Sequence, residues 1–595
     1  MQRRAFSWAT LSLLLGSAVA QPLNSTYHNP VLPGWHSDPS CVHVNGTFYC
    51  ATSTFIAFPG LPVYASRDLV NWKLASHAWS RESQLPGLSW RTVGQQEGMF
   101  APTLRYRDGE FYLVCEYLGM EEGIVGVVFK TADIFEDAGW SDPVTFSPTR
   151  IDPDLFWDDE EGKVYAATQG IILQELDLET GELSEPPIEL WNGTGGVWPE
   201  GPHFYKKDGW YYLMIAEGGT ATDHAVTIAR SRNITGPYES NPANPILTNR
   251  GTDEYFQTVG HADLFQDGDG NWWGMSLATR SGPKYQIYPM GREAVLFPVT
   301  WEEGEWPVMA PVRGEMSGWA LPPATREVPG HGPFNSDPDA YDFDEAGSGL
   351  PRHFMHWRVP KEGTFSVTKE GLEIVASRNN LTGVLGLGET DELSGRRGLA
   401  FVGRRQTHTL FDFTVDLVAR PKGDNVEAGV TVFLTQLNHI DLGVVRLPGE
   451  PPRRKKSKRQ VQDGQSSLSL RFRAEGTGTH PQDEIVPVPD SWAEAEGAIR
   501  LRIRAVSPVE YELSALLADD PESEIVVARA SGELLSGGTG SFVGSLVGVY
   551  ATCNGEGSGG ECPGDAKATF RRWRYDGEAQ YISATESVAA EPAEG

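Results

Sequence analysis

The chain has 595 residues, a formal charge of −31, 18 Trp and 66 Gly. That length exceeds one hydrophobic core, so two domains and a tail are expected. The aromatic, turn-rich balance favours β structure over helix. The acidic surface excludes a phosphate-backbone partner and suits a neutral or weakly charged ligand.

The N-terminus, MQRRAFSWATLSLLLGSAVAQ, has Arg3 and Arg4, then an apolar run too short to span a bilayer, then Ala18-Val19-Ala20 as a small-residue cleavage site. Residues 1–20 therefore read as a signal peptide, which predicts a secreted protein with no membrane anchor. Five cysteines fit an oxidising compartment. In SCVHVNGTFYC, Asn45-Gly46 is a two-residue hairpin signal. It sets Val44 opposite Thr47 and Cys41 opposite Cys50, so a cross-strand disulfide is expected. Cys553 and Cys562 bracket NGEGSGGE and could close a small loop. Cys115, in FYLVCEY, is left over and reads as a buried strand residue. Sequons at Asn24, Asn45, Asn192, Asn233 and Asn380 are consistent with secretion.

Residues 21–320 repeat a pattern. SDPSCVHVNGTFYCATST, FAPTLRYRDGEFYLVCEY, IDPDLFWDDEEGKVYAATQ, PEGPHFYKKDGWYYLMIAEGG and GHADLFQDGDGNWWGMSLATR share one internal order. A polar or small opener precedes an apolar strand, a turn and an aromatic strand, with more strand-like sequence after. Five such units, of roughly 50 to 60 residues each, predict propeller blades. A β-sandwich with coincidental hairpins is the competing reading. In a propeller the openers Asp38, Ala101, Asp152, Glu200 and His261 would converge on a central funnel.

The Pro- and Gly-rich stretch 321–340 reads as a linker. Alternating strands over 341–580 predict a β-sandwich of jelly-roll type. Residues 581–595 read as a disordered tail. The basic run PPRRKKSKRQ at 451–460 reads as a solvated loop; a protease-accessible Lys458-Arg459 and an anchor for acidic polysaccharide are the sharper alternatives. The fold class is thus all-β: a five-bladed propeller followed by a C-terminal sandwich.

Three carboxylates among the openers suit glycosidic bond hydrolysis. One carboxyl protonates the leaving oxygen, and another activates water or attacks the sugar. Inversion needs room for a water, with the pair about 6.5–9.5 Å apart. A third carboxylate nearby raises the acid's pKa by like-charge repulsion.

Taken together, WHSDPS, APTLRY, IDPDLF, WPEGPHFY, AEGGT, TIARS, VGHADLF and PMGRE resemble glycoside hydrolase family 43, over residues 28 to about 312. The resemblance implies Asp38 as general base, Glu200 as general acid and Asp152 as the residue that orients the acid and modulates its pKa. Asp154 is a rival to Asp152, but the motif places the essential carboxylate before the proline. Arg292 in PMGRE matches a sugar-contacting arginine, with a structural ion pair as the alternative. Phe55 matches an aromatic at the sugar subsite, with packing as the alternative. His224 matches a frequent histidine of undefined role. His261 matches a histidine near the axis that holds a cation through water or contacts substrate, or is structural.

Two pocket positions depart from the related β-xylosidases. Phe100 stands before Ala101-Pro102 in place of Trp, and Ile151 stands before Asp152 in place of an aromatic. The resemblance implies a secreted, inverting exo-glycosidase. It would remove β-1,4-xylosyl ends, α-L-arabinofuranosyl branches or both from xylan, arabinoxylan and xylo-oligosaccharides. No cofactor is required on this reading, though it allows a structural Ca2+ at the axis. A non-catalytic carbohydrate-binding propeller, the alternative, would lack one of the three carboxylates.

Overall fold

A computed structural model describes residues 25–590, apart from 121–122, 385–391, 450–465, 495–496, 558–561 and 565. Residues 1–20, read above as a signal peptide, Asn24 and the basic run lie outside the described residues. Strands dominate, as the aromatic-rich alternation predicts.

Five antiparallel sheets follow one another in sequence as blades. Blade 1 runs from Ser40–Val44 to Lys73–Trp79 and blade 2 from Gly98–Met99 to Val144–Phe146. Blade 3 runs from Asp154–Asp158 to Ile188–Glu189, and blade 4 from Glu200–Lys207 to Glu239–Ser240. Blade 5 runs from Phe256–Gln266 to Val308–Met309. Three inner hairpins close by the same local chemistry. Asn45-Gly46, Asp108-Gly109 and Asp208-Gly209 all take positive φ at both residues, which sets the twist of a two-residue turn to that of the strands it joins. The resulting registers are Val44 opposite Thr47, Arg107 opposite Glu110 and Lys207 opposite Trp210. Cys41 consequently faces Cys50 and is bonded to it, Cys553 is bonded to Cys562, and Cys115 is a buried free thiol.

The C-terminal part is a sandwich of a nine-stranded and a six-stranded antiparallel sheet. Its core does not stop at the domain border. Trp35, Phe55, Ile56 and Ala57 of the propeller belong to the same buried apolar cluster as Phe354, Trp357, Phe401 and Phe433. His356–Trp357 also pairs as a strand with Ala57–Phe58. The stretch 321–340 lies along blade 1: Thr325 N–H donates to Asp68, and Lys73 donates to the carbonyls of Val328 and Gly330. The tail differs from the sequence reading. Ser587–Ala589 forms a strand against Ala579–Tyr581, and Arg280 of blade 5 donates to Gln580 and to the Tyr581 carbonyl. The polar, Ala-rich composition that suggested disorder is tolerated because this is an exposed edge strand that needs no apolar face.

Candidate active site

The blade openers meet at the propeller centre. Asp38, Asp152 and His261 adopt left-handed φ of 52, 57 and 48°, and Gly201, directly after Glu200, has φ 51°. Such values are uncommon outside glycine and persist where the surroundings over-determine them, a pattern typical of functional sites. The ladder is also interrupted between Glu200 and His203 and on both sides of Gly260, from Gln257 to Gly260 and from Gly260 to Asp263, the second interruption containing His261. Bulges of this kind re-aim side chains, here toward the axis.

Asp38 is 5% exposed. Its Oδ2 accepts from Ser53 Oγ at 2.7 Å, while Arg292 Nη1 and His261 Nδ1 stand 3.6 and 3.7 Å from Oδ1. A hydroxyl and a guanidinium thus face one carboxyl. Glu200 accepts from Gln169 Nε2 at 2.8 Å. Burial raises its pKa, Gln169 and Arg292 oppose the rise, and the Asp38 charge adds to it. Asp152 accepts the Gly201 amide at 3.1 Å on Oδ2. Burial, then Glu116, then Glu200 and Asp38 hold it protonated well above the usual carboxylate range. One short loop links these two acids: Gln169 N–H donates to Ile151 and Gly170 N–H to Pro199.

Arg292 is buried, with Nε and Nη2 unpartnered among the described residues, and its guanidinium lies 4.3 Å from the Phe542 ring. Two buried donors without acceptors are costly unless a ligand satisfies them. His261 lies over Gly201, where a Cβ would come within 2.9 Å of its ring, and burial lowers its pKa to about 4, so it is neutral at physiological pH. His224 Nδ1 donates to the Thr258 carbonyl (2.9 Å) and the ring packs on Gly260; burial lowers its pKa to about 3. It therefore supports the strand carrying His261. Ala101 is buried beside Phe100, whose ring stays partly exposed. Phe55 is fully buried, stacked with Trp35 and Phe542 and met edge-on by Phe100.

Asp154, the rival carboxylate, is engaged elsewhere. It accepts from Arg105 Nη2 at 2.6 Å and from Phe204 N at 2.8 Å. Arg105 of blade 2 also donates to Asp263 of blade 5 at 2.9 Å and to Ser40 of blade 1 at 3.4 Å, and lies 3.1 Å from His203 of blade 4. One guanidinium thus touches all four other blades. Burial alone would lower its pKa, but Asp154 and Asp263 hold it up, and Asp263 is held well below the usual range in return. The position where the sequence allowed a Ca2+ is filled by the chain's own cation. The carboxylates there are already paired, so the residues do not fit a metal. Chelation with EDTA should accordingly leave the turnover rate unchanged, and a loss reversed by Ca2+ would contradict this account.

The sequence reading missed several site residues. Phe542 comes from the sandwich. Its carbonyl accepts from Ser37 Oγ at 3.1 Å, and Gln96 donates no group there but accepts the Phe542 N–H. Its loop is fastened to PMGRE, since Ser545 donates to Pro289 and Ser536 Oγ accepts from Tyr288 N. Glu217, in AEGGT, accepts from Thr194, Gly196 and Thr227 and so anchors the loop leading to Glu200. Glu116 adds a fourth carboxyl, itself fully buried. Its signal was present in the sequence, as a lone acid in the apolar strand FYLVCEY.

Residues 27–307 match the profile of glycosyl hydrolases family 43, and residues 340–576 that of the beta xylosidase C-terminal Concanavalin A-like domain. A non-reducing end alpha-L-arabinofuranosidase of Bacteroides ovatus is 35% identical over 543 residues, covering 89% of this chain and 92% of its own. The chain belongs to glycoside hydrolase family 43. A xylosidase/arabinosidase of Butyrivibrio fibrisolvens is 31% identical, over 90% of this chain and 97% of its own. The crystal structure of a xylan beta-1,4-xylosidase from Bacillus halodurans superposes with a TM-score of 0.75 at 27% identity, covering 92% of this chain and 99% of that one. Family 43 membership makes the protein a glycoside hydrolase, and the carbohydrate-binding propeller without catalysis is set aside.

Proposed function

We propose that this family 43 hydrolase is a secreted exo-glycosidase that releases single pentoses from xylan, arabinoxylan or xylo-oligosaccharides by one-step inversion. Asp38 removes a proton from water, and Glu200 protonates the leaving oxygen. Asp152, protonated and tied to the Gly201 amide, sits behind the acid. The observation that carries the reading is Arg292. Its guanidinium, with two nitrogens unpartnered among the described residues, stands 3.6 Å from Asp38 and 4.3 Å from the Phe542 ring, which offers donors for the hydroxyls and a ring for the apolar face of one small sugar. Phe542 narrows the pocket from the sandwich side, which supports exo action over cleavage within a chain. Trp198, two residues before Glu200 and 64% exposed, offers an indole for the leaving sugar. Relatives named for xylose and for arabinose release support a pocket that takes either pentose.

The test is product analysis on arabinoxylan, with proton NMR of the first anomer released. Free xylose, arabinose or both, appearing in the anomer opposite to that of the bond cleaved, is expected. Oligosaccharide products would overturn the exo reading, and retained configuration would overturn the inverting one. Exposed Asn45 and Asn233, at a hairpin tip and after a strand, are accessible for the glycosylation that secretion implies.

A further inference from the structure

We propose that Asn45 carries an N-linked glycan whose first N-acetylglucosamine is seated in an aromatic cleft between blades 1 and 2. The inference rests on the secreted reading of the chain.

Asn45-Gly46-Thr47 is an acceptor sequon at the tip of the first hairpin of blade 1. Asn45 is exposed, but its backbone is fixed. Its φ is 51°, Val44 pairs with Thr47, and the Cys41–Cys50 disulfide ties the two strands behind it. A sugar on this residue therefore starts from a rigid base. Beside it lies a cleft of about 340 Å³, lined by Asn45, Tyr49 and Arg67 from blade 1 and by Tyr106, Phe111 and Phe135 from blade 2. That volume is at the lower end of small-ligand pockets, about 300–1,000 Å³, and suits one sugar ring better than an extended chain. Aromatic rings follow one another across it. The centroids are 4.8 Å apart from Tyr106 to Phe111, 5.0 Å from Phe111 to Tyr49 and 5.9 Å from Tyr49 to Phe135. Tyr106 is 39% exposed. The space beside both hairpin tips is open, since a Cβ placed on Gly46 or Gly109 would meet nothing within 4 Å.

The chemistry of the cleft selects this occupant. The C–H face of a pyranose covers an exposed ring and removes its apolar surface from water. The sugar's hydroxyls and acetamide need polar groups at the rim, where the exposed Arg67 stands with Nε donating to Thr47 Oγ1 at 3.4 Å. A free sugar would lose its translational freedom on entering so small a cleft, whereas one bonded to Asn45 is already there. The strand Ser40–Val44 separates Asn45 from Asp38 by roughly 17 Å of extended chain, so the glycan leaves the sugar pocket clear. In the transfer, the Asn45 amide nitrogen bonds to the anomeric carbon and gives up one proton. The anomeric C–O bond to a lipid diphosphate donor breaks, and the diphosphate leaves with the electron pair.

The test is expression of the full-length chain, with its own N-terminus, in a secreting yeast. Peptide mass spectrometry reads the occupancy of Asn45, Asn192, Asn233 and Asn380. Endoglycosidase H then trims every glycan to its first N-acetylglucosamine. After trimming, Asn45→Asp, which keeps a residue that tolerates this turn, should melt about 2 °C below wild type, the shift for loss of one sugar–ring contact. In a Tyr106→Ala background the two should melt together, and in Tyr106→Phe, which keeps the ring, the difference should return. An empty Asn45 beside occupied sequons elsewhere would overturn the seat alone. So would an Asn45→Asp difference of the same size with and without the Tyr106 ring. Four empty sequons would overturn the seat and the secreted reading together.

Discussion

Glu200→Ala should lower kcat/KM on natural xylo-oligosaccharides or arabinoxylan by about 10²–10⁴-fold, the range for loss of a general acid. Aryl glycosides with acidic leaving groups should keep a much larger share of their rate, because an activated phenolate departs without a proton. The alkaline limb of the pH profile should disappear, since the group whose deprotonation causes it is gone. Burial and the Asp38 charge raise the pKa of Glu200, and Gln169 and Arg292 oppose the rise. Parallel kinetics on an oligosaccharide and on a nitrophenyl glycoside measure the contrast. Equal losses on both would show that Glu200 does something other than donate that proton.

The second large effect is on stability. Arg105→Met should destabilise the propeller by about 3–5 kcal/mol, the cost of leaving buried partners of an ion pair without their countercharge. Asp154 and Asp263 are fully buried and would both lose it. Asp263 now has a depressed pKa, so its contribution is present above the usual aspartate range and is lost as pH falls. The deficit of the variant should therefore be largest near neutrality and shrink in acid, where the stranded carboxyls take up protons. Added Ca2+ should recover part of the loss in the variant and leave the wild type unmoved. Thermal melting across pH, with and without Ca2+, measures both effects; a variant as stable as wild type at pH 7 would refute the axial role of Arg105.

Local rules explain what could be read early. The Asn-Gly and Asp-Gly turns determine strand pairing within a few residues, so the hairpins, the Cys41–Cys50 bridge and the order of the blades were all visible in the sequence. The carboxylates were visible because each opens a recurring unit. What was hidden depends on distance along the chain. Phe542 reaches Ser37 across more than 500 residues, and its own stretch, SGGTGSFVGS, carries no chemical signature. Arg105 reads as a surface residue in LRYRDG until the other blades surround it. The strand at 587–589 was missed because edge pairing needs only backbone groups.

The strand pair between His356–Trp357 and Ala57–Phe58, with the apolar cluster running through it, bears on how this enzyme can be re-engineered. The sandwich is not a detachable cassette. Grafting another family member's C-terminal half onto this propeller would replace one wall of the sugar pocket and leave Trp35 and Phe55 against a foreign surface. Altered selectivity from such a chimera would have to be sought by exchanging the 536–545 loop together with the PMGRE segment it grips, as one unit.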